Sequence, residues 1–362
     1  MEYILILLWI GLMAVIAKYA NIKRTVLVEG AEEQRYSWLF ALVVFLPIIW
    51  IAGHRPETFS DTYNYAKNFL NGPKSFDDLW TYTLNTPKDR AYYFVSGAMR
   101  IILGPNQEAF FTIIAAIQGI FVLNIFRKYS EEYILSVFFF VASAEFMWMF
   151  NGIRQFMAVV IIFLATPLLL KKKYIPLIMV IIFASLFHQS ALIMIPIIFI
   201  VQGTAWNKRT IVFIIVLLLI IVFIGNFTSF LNDSLEGTQY ADAAKIINSD
   251  ESRGTNPLRV LFFSIPTIMA FFTKKTILAE NNKMINICVN MSIISTGLYV
   301  VSMFTSGMLV ARLPIYASLY NHILLPWILL RAIKNKKITT IIIVSIFLLF
   351  YYFQLHVTWN LF

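Results

Sequence analysis

Arg55, Arg154 and Arg312 are far apart in the chain, yet each stands beside apolar sequence at a short polar break. A guanidinium is always charged and presents a planar fork of donors. That shape suits the oxygens of a phosphate or diphosphate, for which lysine offers only a point charge. His188, in Phe187-His-Gln-Ser190, titrates near neutral pH and can take a proton from a hydroxyl group. Asp61, between Arg55 and Tyr65 in Arg-Pro-Glu-Thr-Phe-Ser-Asp-Thr-Tyr-Asn-Tyr, can do the same or bind hydroxyls. Asn151, Gln155, Tyr65 and Tyr316 lie close in sequence to these groups and are suited to orient a sugar or the arginines. Plainer roles compete. A single arginine can snorkel or pair with a carboxylate, Arg154 with Glu145 for example; Asp61-Thr62 can cap a helix; His188 can be a satisfied interfacial histidine. Three arginines in like settings favour an anion site.

The elements that carry these residues are membrane spans. The chain has 362 residues, 59% hydrophobic and only 13% charged, which is too apolar for a soluble globule. We expect an all-α polytopic membrane protein, one integral domain over 1–362. About twelve spans begin near Tyr3, Trp38, Ala109, Tyr133, Phe156, Tyr174, Ala191, Thr210, Leu258, Met284, Leu313 and Ile338. Several are shorter than the roughly 20 residues usual for a crossing and imply tilt or local thinning. The first span follows Glu2 with no basic n-region or cleavage site, so it reads as retained. The net charge of +10 resides mainly in short connections, where the positive-inside rule accounts for it without nucleic acid.

Placing Lys171, Lys172 and Lys173 in the cytoplasm puts most of the 29 Lys and Arg on that side. Both termini then lie outside. Ala91 to Gly104 is apolar but carries Arg100 and is only about 21 Å long as a helix, so it reads as an interfacial or re-entrant helix. It belongs to a first outer loop over 53–108; a second, over 226–256, is polar and suited to act as a lid. With this topology Arg55, Asp61, Tyr65, Arg90, Glu145, Asn151, Arg154, Gln155, His188, Arg312 and Tyr316 all gather at the outer face. A one-sided polar set favours an outward binding or reaction site over a pore. The outer aromatics Tyr65, Trp80, Tyr92 and Tyr93 serve as interface anchors or as platforms for sugar rings.

Other chemistries lack their residues. The sequence has no GxxxxGK[ST] loop, HExxH, paired cysteine ligands or GxSxG elbow, and the lone Cys288 excludes an internal disulfide. Asp77-Asp78 is a weak cation signal and reads as a solvated turn. No metal or other cofactor is expected.

Arg55 with Asp61-Thr62 and Tyr65, Asn151-Gly-Ile-Arg154-Gln155, Phe187-His188-Gln-Ser190-Ala-Leu192 and Arg312-Leu-Pro-Ile-Tyr316 together resemble the EpsG-like family of Wzy-type bacterial polysaccharide polymerases, in an order that covers nearly the whole chain. One departure is Asp89-Arg-Ala-Tyr-Tyr93, where the family pattern has an acidic residue and Pro-Gly ahead of the aromatic. The resemblance implies a GT-C-like membrane glycosyltransferase in the bacterial cytoplasmic membrane. It would join undecaprenyl-diphosphate-linked oligosaccharides at the outer leaflet, with inversion, to make an exopolysaccharide or capsule, with other polysaccharide export proteins as candidate partners. In that role Arg154 and Arg312, assisted by Arg55, hold the diphosphate; His188 or its rival Asp61 is the base; Gln155, Asn151, Tyr65 and Tyr316 orient the substrates. The alternatives are a transporter or flippase of lipid-linked sugars, and a surface-glycan ligase or acyltransferase.

Overall fold

The computed structural model describes residues 2–223, 254–305, 310–359 and 361. The expected second outer loop over 226–256 lies almost wholly outside the described residues. Among them the chain is helical except for one β-hairpin. It divides into two compact units, one of Met1–Leu192 with Ile333–Phe362 and one of Ile193–Ala332.

The first unit opens with α1 (Glu2–Tyr19), then strands β1 (Lys23–Val28) and β2 (Ala31–Tyr36). It continues through α2 (Trp38–Gly53), α3 (Thr62–Leu70), α4 (Phe76–Leu84), α5 (Arg90–Leu103), α6 (Gln107–Tyr129) and α7 (Tyr133–Ala142). A 3-10 turn, Glu145–Met149, leads into α8 (Ile153–Leu164), α9 (Thr166–Leu170) and α10 (Tyr174–Ser185). The second unit holds α11 (Met194–Ile200), α12 (Lys208–Val222), α13 (Pro257–Phe272), α14 (Lys274–Glu280), α15 (Lys283–Phe304), α16 (Ile315–Ser318) and α17 (Asn321–Trp327). The last helix, α18 (Lys336–Phe353), returns to the first unit.

Helical elements occur close to all the expected span starts. Among the described residues four helices are long and apolar enough to cross a membrane: α1, α6, α15 and the stretch Lys336–Thr358. The count rises to six if α13 with α14, bent by 67°, and Val310–Ser318 with Asn321–Ala332, bent by 50°, are each one span. Five further apolar helices, α2, α7, α8, α10 and the stretch Gln189–Ile200, are shorter.

The all-α expectation needs one correction. The charged connection between α1 and α2 is an antiparallel hairpin in which Lys23 pairs with Tyr36 and Val28 with Ala31. Glu29 (φ 49°) and Gly30 (φ 94°) form its two-residue turn, and positive φ at both positions matches the right-handed twist of the strands. The hairpin is fastened to the end of α6: Arg35 Nε donates to the Lys128 carbonyl at 2.9 Å and Arg127 Nε to the Tyr36 carbonyl at 2.7 Å.

In the first unit α2 and α6 pack closely, because a Cβ on Gly119 would stand 2.7 Å from Ile49. Phe45, Phe126, Phe140, Phe156 and Phe163 fill the space between α2, α6, α7 and α8 with stacked and edge-on rings. Polar groups there are satisfied across helices: Trp9 Nε1 donates to the Val43 carbonyl at 3.1 Å, and the Tyr133 hydroxyl to that of Ala41 at 2.8 Å. The second unit has its own polar tie. Asn290 of α15 accepts from Trp206 N and donates to the carbonyls of Val201 and Thr204, and Asn286 accepts from Ala205 N.

Candidate functional site

Arg55 follows the end of α2, and its side chain is turned inward, leaving the residue 7% exposed. Its Nη1 donates to the Met149 carbonyl in the 3-10 turn. The guanidinium lies 4.1 Å over the Phe111 ring of α6 and 5.8 Å from Phe150, a cation held by aromatic faces and not by a carboxylate. Nε and Nη2 are buried without a hydrogen-bond partner. Burial lowers the guanidinium pKa from the ordinary arginine value to about 10, so it is still charged at neutral pH.

Arg154 is in the first turn of α8. The helix starts after Asn151-Gly152 because Gly152 takes φ +79° with the Trp148 ring packed 3.0 Å from where a Cβ would be. Arg154 Nη1 donates to Asp89 Oδ2 at 2.7 Å; the arginine side chain is 26% exposed and the aspartate side chain 4%. The guanidinium is 5.8 Å from the centre of the Tyr65 ring and 5.9 Å from that of Tyr92, and it also hydrogen-bonds the Tyr65 hydroxyl. The two rings meet edge to face at 6.2 Å. Tyr65 and Tyr92 also act on the charge of Arg55 through space, and both are buried. Burial raises the Asp89 carboxyl above its usual range while Arg154 pulls it the other way.

His188 ends the segment after α10. Its Nδ1 is 2.7 Å from the Ser190 hydroxyl, and Gln155 Nε2 donates to the same oxygen at 3.4 Å. That contact fixes the ring's orientation and governs which nitrogen bears the proton. The Ala91 amide donates to the Leu186 carbonyl at 3.0 Å, which joins the start of α5 to the end of α10. The beginnings of α5 and α8, α3 and the end of α10 therefore converge within the first unit.

The expected residues fare unevenly. The structure brings Tyr65 and Arg154 together, sets Arg55 against the 3-10 turn that precedes α8, and joins Gln155 and His188 through Ser190. Asp61 occupies the N-cap position of α3 without capping it through its side chain. Asn151 Oδ1 is buried and unbonded beside the α8 start. Arg312, exposed at the end of the short turn Val310–Arg312, and buried Tyr316 of α16 belong to the second unit. Among the outer aromatics Tyr65 and Tyr92 are buried and Trp80 is 63% exposed. Sequence reasoning missed Asp89, Tyr92 as an arginine neighbour, and Ser190. Asp89 is the carboxylate that meets Arg154, from 65 positions away, whereas Glu145 is buried in the 3-10 turn. The only signal for it was an acidic residue in the segment that departs from the family pattern. Among the described residues no group of three His, Cys, Asp or Glu side chains is arranged to hold a metal ion.

A family model described as EpsG matches residues 38–360. The chain belongs to the EpsG family. The match covers nearly the whole chain, takes in every candidate site residue, and identifies an EpsG chain of Wzy-type, polysaccharide-polymerase-like character. Its apolar helices fit a multi-pass membrane protein. No curated protein and no solved structure matches it.

Proposed function

We propose that this EpsG-family chain is a GT-C-like glycosyltransferase of about twelve spans, set in the bacterial cytoplasmic membrane. It joins oligosaccharide repeat units carried on undecaprenyl diphosphate, at the outer leaflet and with inversion, to build an exopolysaccharide or capsule. The observation that carries the reading is a pair of part-buried and buried guanidiniums in the first unit, Arg154 beside the Tyr65 and Tyr92 rings and Arg55 against Phe111 with two donors unbonded among the described residues. Buried donors without a partner are costly, and an anion bound there would satisfy them.

In this reading Arg154 and Arg55 hold the donor diphosphate and stabilise the charge that develops as it leaves. His188 takes the proton of the acceptor hydroxyl, with Asp61 as the rival base. The acceptor oxygen then bonds to the anomeric carbon as the bond from that carbon to the diphosphate breaks. Gln155, Asn151 and Tyr65 orient the sugars or the arginines, and no divalent metal takes part.

The test is the purified protein with its lipid-linked repeat unit. A ladder of polymer that persists in EDTA is expected; single units moved across a bilayer without a ladder would establish a flippase instead. In the same assay His188→Ala is expected to lose activity. If Asp61→Ala loses it and His188→Ala does not, the base is Asp61.

A further inference from the structure

An acidic residue against an arginine that binds a diphosphate is at first sight a liability, since it repels the ligand. Asp89 is nevertheless held there firmly. Its side chain is 4% exposed while Arg154 keeps 26%, so the carboxylate is the more deeply buried member of the pair. Its backbone takes φ 57°, a left-handed conformation that costs a non-glycine residue energy and is tolerated best by Asn and Asp. Two residues later the Ala91 amide is tied to the Leu186 carbonyl, which fixes the loop against the segment carrying His188. The flanking Tyr65 and Tyr92 rings and the Tyr65 hydroxyl hold the guanidinium as well.

We propose that Asp89 is the positioning residue of the anion site: its 2.7 Å hydrogen bond aims the Arg154 guanidinium at the donor diphosphate, and its negative charge keeps the site from holding the diphosphate too tightly. This rests on the reading of Arg154 as a diphosphate ligand. The two functions separate chemically. Asparagine keeps an acceptor oxygen at the same reach and prefers the left-handed backbone, but has no charge. Glutamate keeps the charge but moves it by one methylene and fits the backbone less well.

Asp89→Asn and Asp89→Glu are therefore compared in the full-length protein for donor KM and kcat, with unfolding temperature measured alongside. Asp89→Asn is expected to lower the donor KM by several-fold, with a fall in kcat from slower diphosphate release. Asp89→Glu is expected to lose on the order of 10–100-fold in kcat/KM through misplacement of Arg154. A residue that serves only the fold would change the unfolding temperature and not split KM from kcat. The proposal is overturned if Asp89→Glu retains wild-type kinetics, since aim would then not matter, or if Asp89→Asn loses as much kcat/KM as Asp89→Glu, since an acceptor oxygen at the same reach would then not aim the guanidinium. Arg154→Gln separates the two failures: unchanged donor KM and kcat in that variant would remove the diphosphate reading itself, whatever Asp89 does.

Discussion

Arg55 is a residue that the fold would be more stable without. Its guanidinium is buried, has no carboxylate partner, and leaves Nε and Nη2 unbonded. The sign of the titration agrees. Because its folded-state pKa is depressed to about 10, below the ordinary arginine value, the unfolded chain binds more protons between the two, so stability rises with pH through that window and the charge opposes folding at neutral pH. Replacing a poorly compensated buried charge by an apolar side chain of similar size is commonly neutral or stabilising by about 1–4 kcal/mol. Arg55→Met is accordingly expected to keep or raise the thermal midpoint in detergent while donor turnover falls by about 100-fold or more, as for loss of a donor to developing charge. A lower midpoint with turnover intact would make Arg55 a structural residue, held by Phe111 and the Met149 carbonyl alone.

At the scale of elements, the site depends on where α8 begins. Gly152 has positive φ and the Trp148 ring at its back, and the next turn bears Arg154 and Gln155. Gly152→Ala forces a Cβ into both constraints and is expected to cost about 1–2 kcal/mol from the backbone alone. The thermal midpoint should fall and donor KM should rise as Arg154 is displaced. Gly11→Ala in α1 is the control: nothing lies within 4 Å of its would-be Cβ, so it should be neutral or slightly stabilising. The Asn151-Gly152 break was legible in the sequence because an interruption between apolar runs is a local signal. The long apolar helices α6 and α15 were legible for the same reason. Asp89 was not, since spacing tells which residues share an element and not which elements meet; its partner comes from α8. The hairpin was missed because its alternating charged strands, Lys23–Val28 and Ala31–Tyr36, read as an ordinary basic connection, and its stability comes from bonds to Arg127 and Lys128 that no local pattern encodes.

The first unit, as a whole, is two-ended. Helix α6 has 23 residues, and so a length of about 34 Å, enough to cross the hydrocarbon of a bilayer. At its last turn it is bonded to the hairpin, among Lys23, Arg24, Arg35, Arg127 and Lys128. At its first turns it meets the end of α2, where a Cβ on Gly53 would stand 2.9 Å from Thr112 Cα, and there the segment carrying Arg55, α3, α4 and α5 is attached. The proposed function requires the hairpin end to be cytoplasmic, as the positive-inside rule would have it, and the arginine–tyrosine cluster to be outside. Cysteines at two exposed positions test this, Asp77 of α4 and Glu32 of β2, against a native background in which Cys288 is buried. Asp77→Cys should react with a membrane-impermeant maleimide in intact cells, and Glu32→Cys only after permeabilisation. The opposite result would place the cluster in the cytoplasm, where an outer-leaflet polymerase cannot work. Labelling of both from the outside would mean that α6 does not carry the chain across, and the one-sided arrangement of arginines would then need a different membrane geometry.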